Sequence, residues 1–126
     1  MLKDGKVVAT IAVADVDQAK RFYGGVLGLE QAEENAGGVT YSCGGGTSVF
    51  IYTSESAATN RATCASWSVS DFNDTMDNLR AKGVVFEHYD NIPGMIREGD
   101  AHVMGEFKAA WFKDPDGNIL AIDNSG

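Results

Sequence analysis

His88 and His102 are the two imidazoles of the 126-residue sequence, with Glu87, Asp90, Glu98, Asp100 and Glu106 close by. Two histidines and a carboxylate form the donor set of many divalent metal sites, yet this spacing matches no short ligand signature. His102 could alternatively act as a general base, because an imidazole titrates near neutrality. Nothing adjacent in sequence identifies a nucleophile or an orienting carboxylate for it. Cys43 and Cys64 are too few for a disulfide framework and lack CxxC spacing, although a single bridge is compatible with the count. The aromatics offer a different chemistry. Tyr41, Phe50, Tyr52, Phe107 and Trp111 carry π faces on which a planar or cationic molecule can stack.

These residues are positioned by a repeated unit. Residues 7–13 are apolar and β-branched, and Asp15 then opens a helical pattern as a candidate N-cap. Val16, Ala19, Phe22, Tyr23 and Val26 recur at three- and four-residue steps, up to the glycines at 24–28. Strands follow at 29–34, 38–43 and 48–53, with Gly44-Gly45-Gly46 as the turn between the last two. The pattern then restarts. Residues 63–69 read as a strand, Asp71 as an N-cap, and Phe72, Thr75, Met76, Leu79 and Ala81 as a helix face. Strands are expected at 84–89, 107–112 and 118–122. Val13-Ala14-Asp15 matches Val69-Ser70-Asp71. The chain therefore reads as one α+β domain, 1–126, of two tandem βαβββ modules, at about 5–54 and 62–124, joined by the small and polar residues 54–62. Residues 90–106, with Pro93-Gly94 and two further glycines, read as a long inserted loop.

Composition narrows the function classes. A formal charge of −8 argues against nucleic acid, whose phosphates require clustered Lys and Arg, and it would attract a cationic ligand. No apolar run approaches the roughly 20 residues that span a bilayer, so no membrane partner is expected. No basic region followed by an apolar run marks a secretory signal. A cytoplasmic protein is expected.

Trp111-Phe112-Lys113-Asp114-Pro115-Asp116-Gly117-Asn118-Ile119-Leu120 adds a tight turn before the last strand. Asp-Pro-Asp-Gly alone is a type I turn. Placed in this duplication, with Phe22-Tyr23 and Leu27-Gly28-Leu29 after the first strand, it resembles the vicinal-oxygen-chelate superfamily. That superfamily includes glyoxalase I, extradiol dioxygenases, fosfomycin-modifying enzymes and bleomycin-resistance proteins. The resemblance covers essentially the whole chain and implies curled mixed sheets around a cavity, and a homodimer. It also implies where metal ligands would lie: Val8, Cys64, Ala121 and the strand carrying Phe50 and Tyr52. None of these supplies an imidazole or carboxylate, so no metal and no cofactor is expected.

Strand alternation, laid on the same resemblance, sends Val8, Thr10 and Ala12 to the cavity and makes Ile11 and Val13 face the helix. In the second half it sends Cys64, Ser66 and Ser68 to the cavity and Trp67 to the core. Phe107, Ala109 and Trp111 share the cavity face, with Phe112 behind them, and Phe50, Tyr52 and Tyr41 join from the first half. Thr10, Tyr41, Phe50, Tyr52, His102, Phe107 and Trp111 are thus the expected ligand-binding residues. The expected function is metal-independent binding of a small organic molecule, a drug or metabolite, in the manner of the bleomycin-resistance branch. The rival is a lyase, isomerase or dioxygenase of the same superfamily with a metal relocated to His88 or His102 beside Glu106 or Glu87.

Overall fold

The computed structural model describes residues 1–126. The first half contains β1 (Ala9–Val13), α1 (Val16–Lys20), β2 (Glu30–Asn35), β3 (Gly38–Ser42) and β4 (Ser48–Thr53). Its sheet has the order β1-β4-β3-β2, with β1 and β4 parallel and the other pairs antiparallel. The second half contains β5 (Thr63–Ser68), α2 (Phe72–Ala81), β6 (Ile96–Glu98), β7 (Ala101–Met104), β8 (Phe107–Lys113) and β9 (Ile119–Asp123). Its order is β5-β9-β8-β7-β6, with β5 and β9 parallel. The two mixed sheets do not close into a barrel. They come nearest along β1 and β5. No helix is long and apolar enough to cross a membrane.

The helices form where the apolar spacing places them. Asp15 caps α1, its carboxylate accepting from the Asp17 and Gln18 amides. The helix then widens into a π-helical turn, Arg21–Val26, across Gly24 and Gly25. On α2, Phe72, Met76 and Leu79 are buried at i, i+4 and i+7. Asp71 occupies the N-cap position, but its side chain makes no capping bond; its backbone carbonyl instead accepts from the Thr75 hydroxyl at 2.7 Å. A core cluster draws on both halves, from Ile11, Val13, Tyr23 and Ile51 to Met76, Phe112, Leu120 and Ile122. Gly38 is required where β3 approaches β4, since a Cβ there would lie 2.1 Å from the Ile51 carbonyl oxygen.

The second half departs from the expected pattern after α2. Residues 84–89 form no ladder; their one backbone bond to β8 runs from the Glu87 amide to the Trp111 carbonyl at 2.8 Å. The inserted segment, expected as loop, supplies β6 and β7 instead. β7 occupies the edge of β8 from Phe107 to Ala109, so the preceding segment has little free edge left to pair with. Both inserted hairpins turn on two residues led by a glycine at positive φ, Gly99 (φ 64°) before Asp100 and Gly105 (φ 62°) before Glu106. A glycine-led two-residue loop is a hairpin signal that the sequence carried.

Candidate functional site

Residues directly opposite on paired strands share a face, so the register of the second sheet fixes its inner surface. One row runs Ser66, Ala121, Trp111. The next runs Ser68, Asp123, Ala109, His102. Over these rows lies a pocket of about 250 Å³, to which the inserted segment contributes Ile92, Met95 and Met104. The strands contribute Thr63, Ser66, Phe107, Ala109, Trp111, Ala121 and Asp123, among others. Phe107, Ala109 and Trp111 therefore share the face that alternation assigned to them, and Phe112 packs behind, edge-on to Phe86.

Trp111 is held from two sides. Its indole Nε1 donates to the Thr63 hydroxyl at 2.9 Å. Its ring meets His102 at 4.8 Å and Tyr89 at 5.6 Å, edge-to-face with both. This fixes the indole orientation and leaves the ring half-buried. His102 is fully buried beside it. Its Nε2 accepts from the Tyr89 amide at 2.9 Å, which places the proton of the neutral ring on Nδ1. Nδ1 has no hydrogen-bond partner. Burial holds the His102 pKa below the usual imidazole value. His102 thus braces Trp111 and the segment after α2 rather than reaching solvent.

Asp123 lies at the far end of the pocket. Burial acts to raise its pKa, but the hydroxyl and amide of Ser125 and the hydroxyl of Ser68 outweigh this and hold it below the usual carboxylate value. The carboxylate is ionised. Asp123, Thr63 and the two inserted methionines line this pocket and were not among the residues expected from the sequence. Asp123 could have been found by extending the alternation two residues past Ala121.

The first half presents the corresponding face differently. Thr10 is exposed opposite Phe50, and Phe50 and Tyr52 stack with rings 6.1 Å apart and 6° from parallel. These three do not line the 250 Å³ pocket. Tyr41, expected in the cavity, is a core residue at 2% exposure, 6.4 Å from Tyr23. The register explains the correction: Tyr41 lies opposite buried Val49, whereas Thr40 lies opposite Phe50. Cys64 is corrected too. A bulge between Thr63 and Ala65 turns Thr63 toward Trp111 and Cys64 against the core. There burial pushes the thiol pKa up. Trp67 packs against the core as expected.

The residues do not fit the metal of the resembled enzymes. Val8 precedes β1, Ala121 is apolar, Cys64 faces away, and Phe50 and Tyr52 supply neither an imidazole nor a carboxylate. The relocated set does not converge either. The His88 Nε2 lies 2.7 Å from Asp100, whose other oxygen takes Arg80 at 2.8 Å. Glu87 pairs with Lys113. No group of three His, Cys, Asp or Glu side chains comes together.

The Asp-Pro-Asp-Gly turn has a second role. The Gly117 amide donates to the Asp114 carbonyl at 3.0 Å, closing the turn. The Asp114 carboxylate accepts five hydrogen bonds: from the amides of Asp116, Gly117 and Asn118, the Asn118 side chain, and the Tyr23 hydroxyl at 2.8 Å. Asn118 also donates to the Ala12 carbonyl at 2.8 Å, and the Ala14 amide donates to Asp116 at 3.2 Å. The turn clasps the two halves together. Burial, with the Asp114 carboxylate beside it, drives the Tyr23 pKa far upward.

Comparisons with known proteins agree with this architecture. The family model of the Glyoxalase/Bleomycin resistance protein/Dioxygenase superfamily matches residues 7–122. A superfamily member from Sphaerobacter thermophilus DSM 20745 has a similar structure, with 24% identity, TM-score 0.73, and 99% and 100% of the two chains covered. TnmS3, an antibiotic binding protein from Streptomyces sp. CB03234, is similar at 20% identity, TM-score 0.69, with 98% of each chain covered. The oxidase ChaP-H2 is similar at 22% identity and TM-score 0.68, with 97% of this chain and 94% of that one covered. At these identities the likeness establishes the fold. No curated protein matches the chain.

Proposed function

The chain belongs to the glyoxalase/bleomycin resistance protein/dioxygenase superfamily, and we propose that it uses this fold to bind a small organic molecule, a drug or metabolite, without metal. The observation that carries this reading is the inner face of the second sheet. There Trp111, locked by Thr63, His102 and Tyr89, lines an apolar pocket. Organic-ligand sites have this character, with aromatic walls and a few placed polar groups. The positions where the resembled enzymes hold a metal carry no suitable donors, which favours binding over metal chemistry. The structural likeness to an antibiotic binding protein is in line with it.

Within this reading Trp111 and Phe107 contact the ligand directly and His102 acts by bracing Trp111. The protein is a cytoplasmic homodimer, in keeping with two free thiols and with open edges at β2 and β6. In such a dimer Thr10, Phe50 and Tyr52 close the pocket of the partner copy. Light scattering that finds only a 13.4 kDa species overturns that part.

The test is a fluorescence screen of planar aromatic compounds against the wild type, Trp111→Ala and Tyr52→Ala, with each affinity confirmed by calorimetry. Trp111→Ala should weaken a hit by about 1–3 kcal/mol, and Tyr52→Ala by less. Unchanged affinity in Trp111→Ala refutes the site. Stoichiometric Zn, Fe, Mn, Ni or Co in protein purified without chelator refutes the metal-free reading.

A further inference from the structure

We infer that the pocket of the second half takes an aromatic cation: a flat body of about two fused rings carrying an ammonium group that meets Asp123. The inference rests on the small-molecule reading above and gives its ligand a chemical class.

Size comes first. Cavities of about 150 Å³ lined by aliphatic and aromatic side chains accept benzene, so a pocket of about 250 Å³ suits a body roughly one ring larger. Met95 and Met104 on the inserted segment are unbranched and polarisable, and they adapt to such a shape. Thr63 accepts from the indole nitrogen of Trp111, and its hydroxyl offers an occupant no charge.

Charge decides the rest. Asp123 is the one ionisable residue lining the pocket, and no Lys, Arg or His lines it. The side chains that hydrogen-bond the carboxylate are neutral serines. An occupant filling the pocket strips water from this carboxylate, and an anion desolvated without a counter-charge is costly. A neutral occupant leaves that cost in place and an anionic one adds repulsion. An ammonium removes it by a charge-assisted hydrogen bond. The aromatic faces of Trp111 and Phe107 favour the same sign, as does the chain's formal charge of −8, which concentrates cations near the surface.

Three isosteric probes separate the class from the site: 2-naphthylmethylamine, protonated at neutral pH, 2-naphthylmethanol and 2-naphthoate. Binding is followed by calorimetry and by the indole NMR signal of Trp111, made unambiguous in a Trp67→Phe background. The ammonium should bind roughly tenfold tighter than the alcohol, and the naphthoate weakest. Asp123→Asn, which keeps the serine hydrogen bonds, should bring ammonium and alcohol to within about twofold. The wild-type ranking alone tests the class should that variant fold poorly. Equal affinities, or naphthoate as the tightest, overturn the cation class while leaving the pocket. No response of Trp111 to any probe at millimolar concentration overturns the small-molecule reading and the class with it.

Discussion

The turn between β3 and β4 and the turn between β8 and β9 occupy equivalent places in the two halves, and they have been put to opposite uses. The first is Gly44-Gly45-Gly46, where a Cβ added at any of the three would meet nothing within 4 Å. The second is Asp114-Pro115-Asp116-Gly117, in which Asp114 is 5% exposed and hydrogen-bonded into the other half. The sheet faces diverge in the same direction. In the first half, Thr10, Phe50 and Tyr52 sit on a face that no inserted segment lines. In the second, the inserted segment roofs the matching rows and leaves a pocket. A duplicated topology thus supplies two frames of one shape, and local sequence decides that one is capped and clasped while the other stays open.

The clasp gives the largest expected effect. Asp114→Ala should cost on the order of 4 kcal/mol, because it leaves the Tyr23 hydroxyl, the Asn118 amide and three backbone amides without their acceptor. Urea denaturation measures it. A loss under 1 kcal/mol would mean that the two turns are equivalent after all and that the halves are held by apolar packing alone. Gly117→Val sharpens the same contrast at smaller size. Gly117 has φ 99°, which a β-branched residue resists, while its Cβ direction is open to 3.7 Å from Ala58. The cost is therefore backbone strain, about 2 kcal/mol. Gly45→Val, also at positive φ (64°), should cost less than half as much, since a free turn can change type. Equal melting temperatures for Gly117→Val and wild type would remove the reading of the clasped turn.

Periodicity and the Asp-Pro-Asp-Gly turn carried the fold in the sequence, because alternation and helical spacing are local properties. Residues 48–53 are a strand as read, and Ile11, Val13 and Phe112 are buried as their parity required. Register was the illegible part. The bulge at Cys64 reverses which of two neighbours faces the pocket, and nothing in Thr63-Cys64-Ala65 announces it. Tyr41 was misplaced because strand pairing, not residue type, chooses its side. The candidate site was half legible: Phe107, Ala109 and Trp111 followed from parity. Met95 and Ile92 come from a segment whose path over the sheet is set by contacts outside it, such as the pair that Asp100 makes with Arg80 of α2 at 2.8 Å.

The smallest effect separates the halves by pH. His102 is buried in the second half, and the face of Thr10, Phe50 and Tyr52 carries no histidine. Its folded pKa lies below the ordinary 6.5 because burial disfavours the imidazolium. Protonation would also turn Nε2 from an acceptor into a donor facing the Tyr89 amide. Between the folded and unfolded pKa values only the unfolded chain holds the extra proton, so stability rises with pH across that window. The contribution is complete above pH 6.5 and is lost as pH falls through the folded value. Urea denaturation between pH 7.5 and 5 should record a decline in the wild type that His102→Gln flattens, since the glutamine oxygen can still accept from Tyr89. His88→Gln is the control: His88 pairs with Asp100 at the surface, and its loss should leave the decline in place. If His88→Gln flattens the profile and His102→Gln does not, the proton is taken up at the surface network and the roofed face plays no part in it.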